Sequence, residues 1–141
     1  MVQGTGTYDG AVVEDRSVEL RVAATVENLA VLRALVAAVA TFEDLDFDAV
    51  SDLRLAVDEA ATRLIRSAAA GSVLVVKVVP SDDAVVVHAS TTCDTDEETI
   101  VSPGSFSWHV LSSLTDEVST FNGDGRVFGI SLTARRASLL Q

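Results

Sequence analysis

The chain has a single cysteine, Cys93, and a single lysine, Lys77. One thiol closes no intrachain disulfide and gives zinc no second sulfur ligand, which excludes stapled secreted folds and cysteine-built metal scaffolds. Basic residues are scarce. Ten Lys and Arg stand against twenty-one Asp and Glu, a net charge of −11, so repulsion opposes nonspecific attraction to nucleic acid or anionic lipid and a basic protein is the partner the charge favours. No apolar run is long enough to span a bilayer, and Met1 to Thr7 carry no Lys or Arg ahead of an apolar stretch as a signal peptide does. A cytoplasmic protein is expected, with neither membrane nor direct nucleic-acid contact. Ser105, Ser107 and Ser112 form no G-x-S-x-G elbow, so a hydrolase triad is unsupported.

What is present suits one globular domain: 141 residues, 48% hydrophobic and 22% charged. Residues 1–15 are rich in Gly, Thr and acids with no sustained period, which predicts a mobile tail before a single domain over 16–141. Ser17 to Ala23 alternates Val18, Leu20 and Val22 with Glu19 and Arg21, as a half-buried edge strand does. Glu27 to Thr41 places Leu29, Leu32, Val36 and Val39 at helical spacing. After a short acidic loop, Asp48 is the expected cap of a second helix whose apolar stripe is Val50, Leu53, Val57, Ala60, Leu64 and Ala68, with Gly71 suited to the left-handed turn beyond.

Val73 to Val79 and Ala84 to Thr91 read as a hairpin across Pro80-Ser81-Asp82-Asp83. An exposed acidic loop, Thr92 to Ser102, should lead to a short helix over Ser105 to Leu114. A second hairpin, Val118 to Phe121 with Val127 to Thr133, turns through the Gly-rich 122–126. This grouping predicts an α+β, two-layer sandwich: a mixed, mostly antiparallel sheet covered on one face by about three helices. Leu53, Val57 and Leu64 should meet Val75, Val86 and Ile130 on that face.

On the second helix Asp52, Ala56, Glu59 and Arg63 share a stripe beside the apolar face. Glu59 could act as a base there, or form an i,i+4 ion pair with Arg63, which the spacing alone favours. His88, in an apolar strand, and His109, beside Trp108, read as packed sheet and helix-surface residues. Cys93 among acids is expected to have a raised pKa. Arg21, Arg33, Arg54, Arg63 and Arg66 either anchor acidic partner surfaces or line solvated faces.

The segment Asp52-Leu53-Arg54-Leu55-Ala56-Val57-Asp58-Glu59-Ala60-Ala61-Thr62-Arg63 resembles the N-box helix of the GHKL ATPase superfamily, in particular of anti-sigma factors of the RsbW and SpoIIAB type. The similarity runs from Ser17 to Arg136 and includes Leu114-Thr115-Asp116-Glu117-Val118. Phe106-Ser107-Trp108-His109-Val110-Leu111 and Val127-Phe128-Gly129-Ile130 are most like the mycobacterial UsfX-like branch. The resemblance implies the Bergerat-like fold of that superfamily, with Glu59 in the place of the general base.

It also exposes departures. Arg63 stands where the family has a magnesium-binding asparagine, and a guanidinium has no acceptor with which to bind a cation. Asp94 keeps the place of an adenine-reading aspartate, but Asp94-Thr95-Asp96-Glu97-Glu98 has acids where that motif has glycines. Gly104-Ser105-Phe106 keeps only the first glycine of a phosphate-receiving turn. Glu59, Arg63, Asp94 and Gly104 would thus line a degenerate nucleotide pocket in which no metal is expected, no cofactor is required, and ATP with magnesium is doubtful.

The resemblance further implies that the chain sequesters an alternative sigma factor and is relieved by a STAS-type anti-anti-sigma protein. Arg33, or Val31 in a shifted register, would touch the partner. A homodimer would cover apolar surface around Leu20, Val22 and Leu29. The rival expectations are a serine/threonine kinase that uses Glu59 to phosphorylate the antagonist, and a sensor whose altered pocket binds something other than ATP.

Overall fold

A computed structural model describes residues 6–8, 11–13, 16–95 and 100–137. Its centre is a five-stranded sheet made of β3 (Val18–Ala23), β4 (Val73–Pro80), β5 (Ala84–Thr92), β6 (Glu117–Asn122) and β7 (Val127–Arg135), in the order β3-β4-β5-β7-β6. Every ladder of this sheet is antiparallel, so the mixed pairing anticipated from the sequence does not occur among the described residues. Three helices lie on one face: α1 (Leu29–Phe42), entered through a 3-10 turn at Val26–Asn28, α2 (Phe47–Ser67) and α3 (Phe106–Leu114). Within the expected mobile tail, β1 (Gly6–Tyr8) and β2 (Ala11–Val13) pair as a separate antiparallel hairpin; the rest of that tail lies outside the described residues.

α2 forms where its period is cleanest. Leu53, Val57, Ala60 and Leu64 are fully buried, and each large aliphatic chain so placed stabilises the fold by roughly 1.5–3 kcal/mol. Its cap is Asp46 rather than Asp48: the Asp46 carboxylate accepts from Ala49 N at 2.8 Å, and Asp48 falls in the first turn. A cap bonds to an amide three residues on, and the chain turns extended one residue before Phe47, which leaves Asp46 at that distance. Past the helix, Gly71 takes a φ of +77° to swing the chain into β4.

The sheet's inward residues are Leu74, Val76 and Val78 on β4, Val85, Val87 and Ala89 on β5, and Phe128, Ile130 and Leu132 on β7. Val75 and Val86 therefore do not meet α2, contrary to expectation; they share the open face with Lys77 and His88, because successive side chains alternate and the two polar residues fix the phase. Ile130 is where it was expected. Leu29 lies in the core, and Leu20 and Val22 are partly buried against it, so only part of each is left at the surface. The exposed apolar residues of this region are Val18, Val26, Val31 and Phe42, the last 82% exposed.

The segment expected as an exposed acidic loop is anchored at both ends. Cys93 bridges Ala68 and is buried, and Ile100 and Val101 are buried in the core cluster, while Asp94 and Thr95 face solvent. Residues 96–99 lie outside the described residues. At the opposite end of the molecule Glu43, 10% exposed, accepts from Arg136 at 2.8 Å and Arg16 at 3.1 Å, tying the end of α1 to the end of β7. No helix among the described residues is long and apolar enough to cross a membrane.

Candidate functional site at the junction of α2 and α3

Glu59 lies on the stripe of α2 that borders its buried face. Ala56, one turn before, is fully buried, while Glu59 and Arg63 are half-buried. Arg63 Nε donates to Glu59 Oε2 at 3.1 Å, so the i,i+4 pair favoured by spacing forms. A second donor comes from α3: Ser107 Oγ donates to the same Oε2 at 2.7 Å. Ser107 is 5% exposed. Gly104, at φ +89°, reverses the chain, and Ser105 then caps α3 by accepting from Trp108 N at 3.2 Å, which turns Ser107 toward α2.

Chemically this is a polar joint in which two donors converge on one carboxylate oxygen. To take a proton through Oε2, Glu59 would have to displace a guanidinium or a hydroxyl already bonded to it. Among the described residues the joint does not fit a magnesium ion: Arg63 presents donors where a cation needs oxygen, and its Nε is spent on the Glu59 carboxylate. The sequence singled out Glu59 and Arg63 but missed Ser107 as their partner. Its spacing to Leu111 and Leu114, four and seven residues on, was the available signal that it faces inward.

The other named residues lie elsewhere. Asp94 is exposed, and its backbone amide donates to Ser67 O at 3.1 Å, at the far end of α2; eight residues of helix put that point about 12 Å along the axis from Glu59. Beside it, burial pushes the Cys93 thiol pKa up, Asp94 adds to the shift, and Arg126 opposes it. Arg33 and Val31 sit on the outer side of α1, Val31 47% exposed. Arg33 Nε bonds Asp58 Oδ1 at 2.7 Å and braces α1 against α2.

On the open face of the sheet, register sets Glu19, Lys77, His88, Ser131 and Ser119 in one transverse row. His88 Nδ1 and Ser131 Oγ share a hydrogen bond of 2.7 Å, and the His88 ring meets Phe121 edge to face at 6.0 Å. His88 is thus a satisfied sheet residue, as its position suggested. His109 is exposed on α3.

No protein-family model matches the chain. Among curated proteins it is similar to the anti-sigma-F factor RsbW of Mycobacterium tuberculosis, found in two strains: 62% identical over 130 residues, covering 87% of this chain and 76% of the relative. Identity of this degree over most of both chains shows the family: the chain belongs to the RsbW-type anti-sigma factors.

Proposed function

We propose that the chain binds and sequesters an alternative sigma factor, and that a STAS-type anti-anti-sigma protein relieves it by competing for a common surface. The observation that carries this is the 62% identity to a protein named as an anti-sigma-F factor. Physical features agree with it. A net charge of −11 favours a partner that is basic where it touches nucleic acid. Arg33, on the flank of α1 that faces α2, or Val31, exposed on its outer side, offers a charged or an apolar contact on this helix.

Sequestration in this reading needs no nucleotide and no phosphoryl transfer. Glu59 is engaged by Arg63 and Ser107, which weighs against the kinase alternative. Self-association into a homodimer is part of the proposal. β3 is an edge strand, and Val18, Ala38, Val39 and Phe42 line an apolar depression of about 470 Å³ beside it.

The test is recovery of partners from native lysate by tagged protein, with and without Mg-ATP, read by mass spectrometry. A sigma factor in both lanes is the expected result. Its absence from both lanes refutes the assignment, and its presence only with Mg-ATP refutes the nucleotide-free form. Sedimentation as a monomer at micromolar concentration refutes the dimer.

A further inference from the structure

Little holds α3 in place. Its nine residues, Phe106–Leu114, are too few to form a stable helix alone in water. Only Ser107 and Leu111 are buried, with Trp108 and Leu114 packed partly against the core, and Phe106 is turned to solvent. Among the described residues, a single side-chain hydrogen bond joins α3 to another element: Ser107 Oγ to Glu59 Oε2. Serine inside a helix commonly bonds back to its own backbone, as Ser113 does to Val110 O at 2.8 Å. Ser107 instead crosses to α2.

We propose that Ser107 is a positioning residue whose bond to Glu59, braced by Arg63, latches α3 onto α2. The carboxylate makes the bond charge-assisted, and burial of the hydroxyl raises the cost of leaving it unmade. Leu111 and Leu114 follow Ser107 at four and seven residues, so the bond also sets the rotation at which the apolar side of α3 meets the core. Arg63 approaches from the next turn of α2 and limits the rotamers of Glu59, which keeps the acceptor aimed at α3. The latch accounts for a joint that resembles a ligand site yet is closed by the chain's own side chains; in that respect it rests on the nucleotide-free reading above.

The experiment is hydrogen exchange of the full chain without nucleotide, comparing wild type with Ser107→Ala, Glu59→Ala, Glu59→Gln and the Ser107→Ala/Glu59→Ala double variant. Amides of α3 should exchange on the order of tenfold faster in Ser107→Ala and in Glu59→Ala, while β5 and β7 keep their protection. The double variant should be no faster than either single one, and Glu59→Gln, which keeps an acceptor oxygen, should lie nearer to wild type. Unchanged α3 exchange in Ser107→Ala, or single effects that add in the double variant, overturns the latch. Should Ser107→Ala lose β5 and β7 protection as well, Glu59→Ala reads the same bond from a half-exposed position. A parallel run of the wild type with Mg-ATP keeps the two readings apart: slower α3 exchange there refutes the nucleotide-free function, and the comparison made without nucleotide still decides the latch.

Discussion

The ring of Phe121 lies over Gly129, its directly opposed neighbour in the β6–β7 ladder, so closely that a Cβ on Gly129 would stand 2.1 Å from Phe121 Cζ. Glycine here leaves room for an aromatic cover on the open face of the sheet. Gly129→Ala should therefore destabilise the fold by about 1–3 kcal/mol, the range for overpacking. Phe121→Ala in the same chain should recover part of the loss, because it removes the clashing ring. Urea denaturation of the two single variants and the double variant checks both statements.

Glu43 holds two arginines from distant parts of the chain. Arg136 also donates to Ser81 O at 2.9 Å and to the Glu43 backbone carbonyl. Glu43→Ala should cost about 2–4 kcal/mol, because Arg136 is left largely desolvated with its charge uncompensated. Arg16→Ala should cost under about 1 kcal/mol, since Arg16 is half exposed and its pair is screened by water. Equal losses in thermal or chemical melts would contradict the ranking.

Cys93 should alkylate slowly near neutrality, because burial and Asp94 raise its pKa and only the thiolate reacts. Asp94→Asn removes one of the two raising causes, so the reaction should be faster at a given pH. The linkage has a definite sign. A raised folded pKa means that the stability due to the neutral thiol is fully present below the unfolded pKa and is lost as pH rises from there through the folded value. Iodoacetamide rates against pH, with melts across the alkaline range, test both effects.

Arg33→Ala should weaken binding to the sigma factor by about tenfold, on the order of 1.4 kcal/mol, the effect of a moderately important interface arginine. Val31→Asp should weaken it as well, by placing a charge in an apolar contact. Asp58→Ala is the control, since it frees Arg33 from its intrachain bond without removing the guanidinium. Titration calorimetry against the purified sigma factor gives the values. Full affinity in both Arg33→Ala and Val31→Asp would move the interface off this part of α1.

Phosphorylation gives a separate check on Glu59. Incubation with labelled ATP and a STAS-type antagonist should yield the same background incorporation for wild type and Glu59→Ala, because Arg63, which cannot hold magnesium, is bonded to the carboxylate beside Ser107. Incorporation that needs Glu59 would restore the kinase reading.

Much of this architecture was legible because helices and turns announce themselves locally. Leu53, Val57, Ala60 and Leu64 recur at one period and bury as that period requires. The strands were harder. Val73 to Val79 is almost continuously β-branched, so alternation is hidden, and Val75 reads as inward although it lies on the open face. Lys77, and His88 on the next strand, carried the missing phase, since a polar side chain two residues away marks the open side. At the joint, Glu59 and Arg63 could be paired from spacing because they share a helix. Ser107 could not, because its partner lies forty-eight residues away and only the tertiary fold brings the two together.

The sheet order has a kinetic consequence. β4–β5 and β6–β7 are joined by short turns, whereas β3 reaches β4 only after α1 and α2 have been placed between them, which closes a loop of about 50 residues from Ala23 to Val73. Local hairpins can assemble before that long closure is rewarded. On loop-closure entropy β3 is expected to join the sheet after the β4–β5 and β6–β7 hairpins have formed, and as an edge strand paired on one side only it is expected to exchange its amides sooner than β5 at the centre.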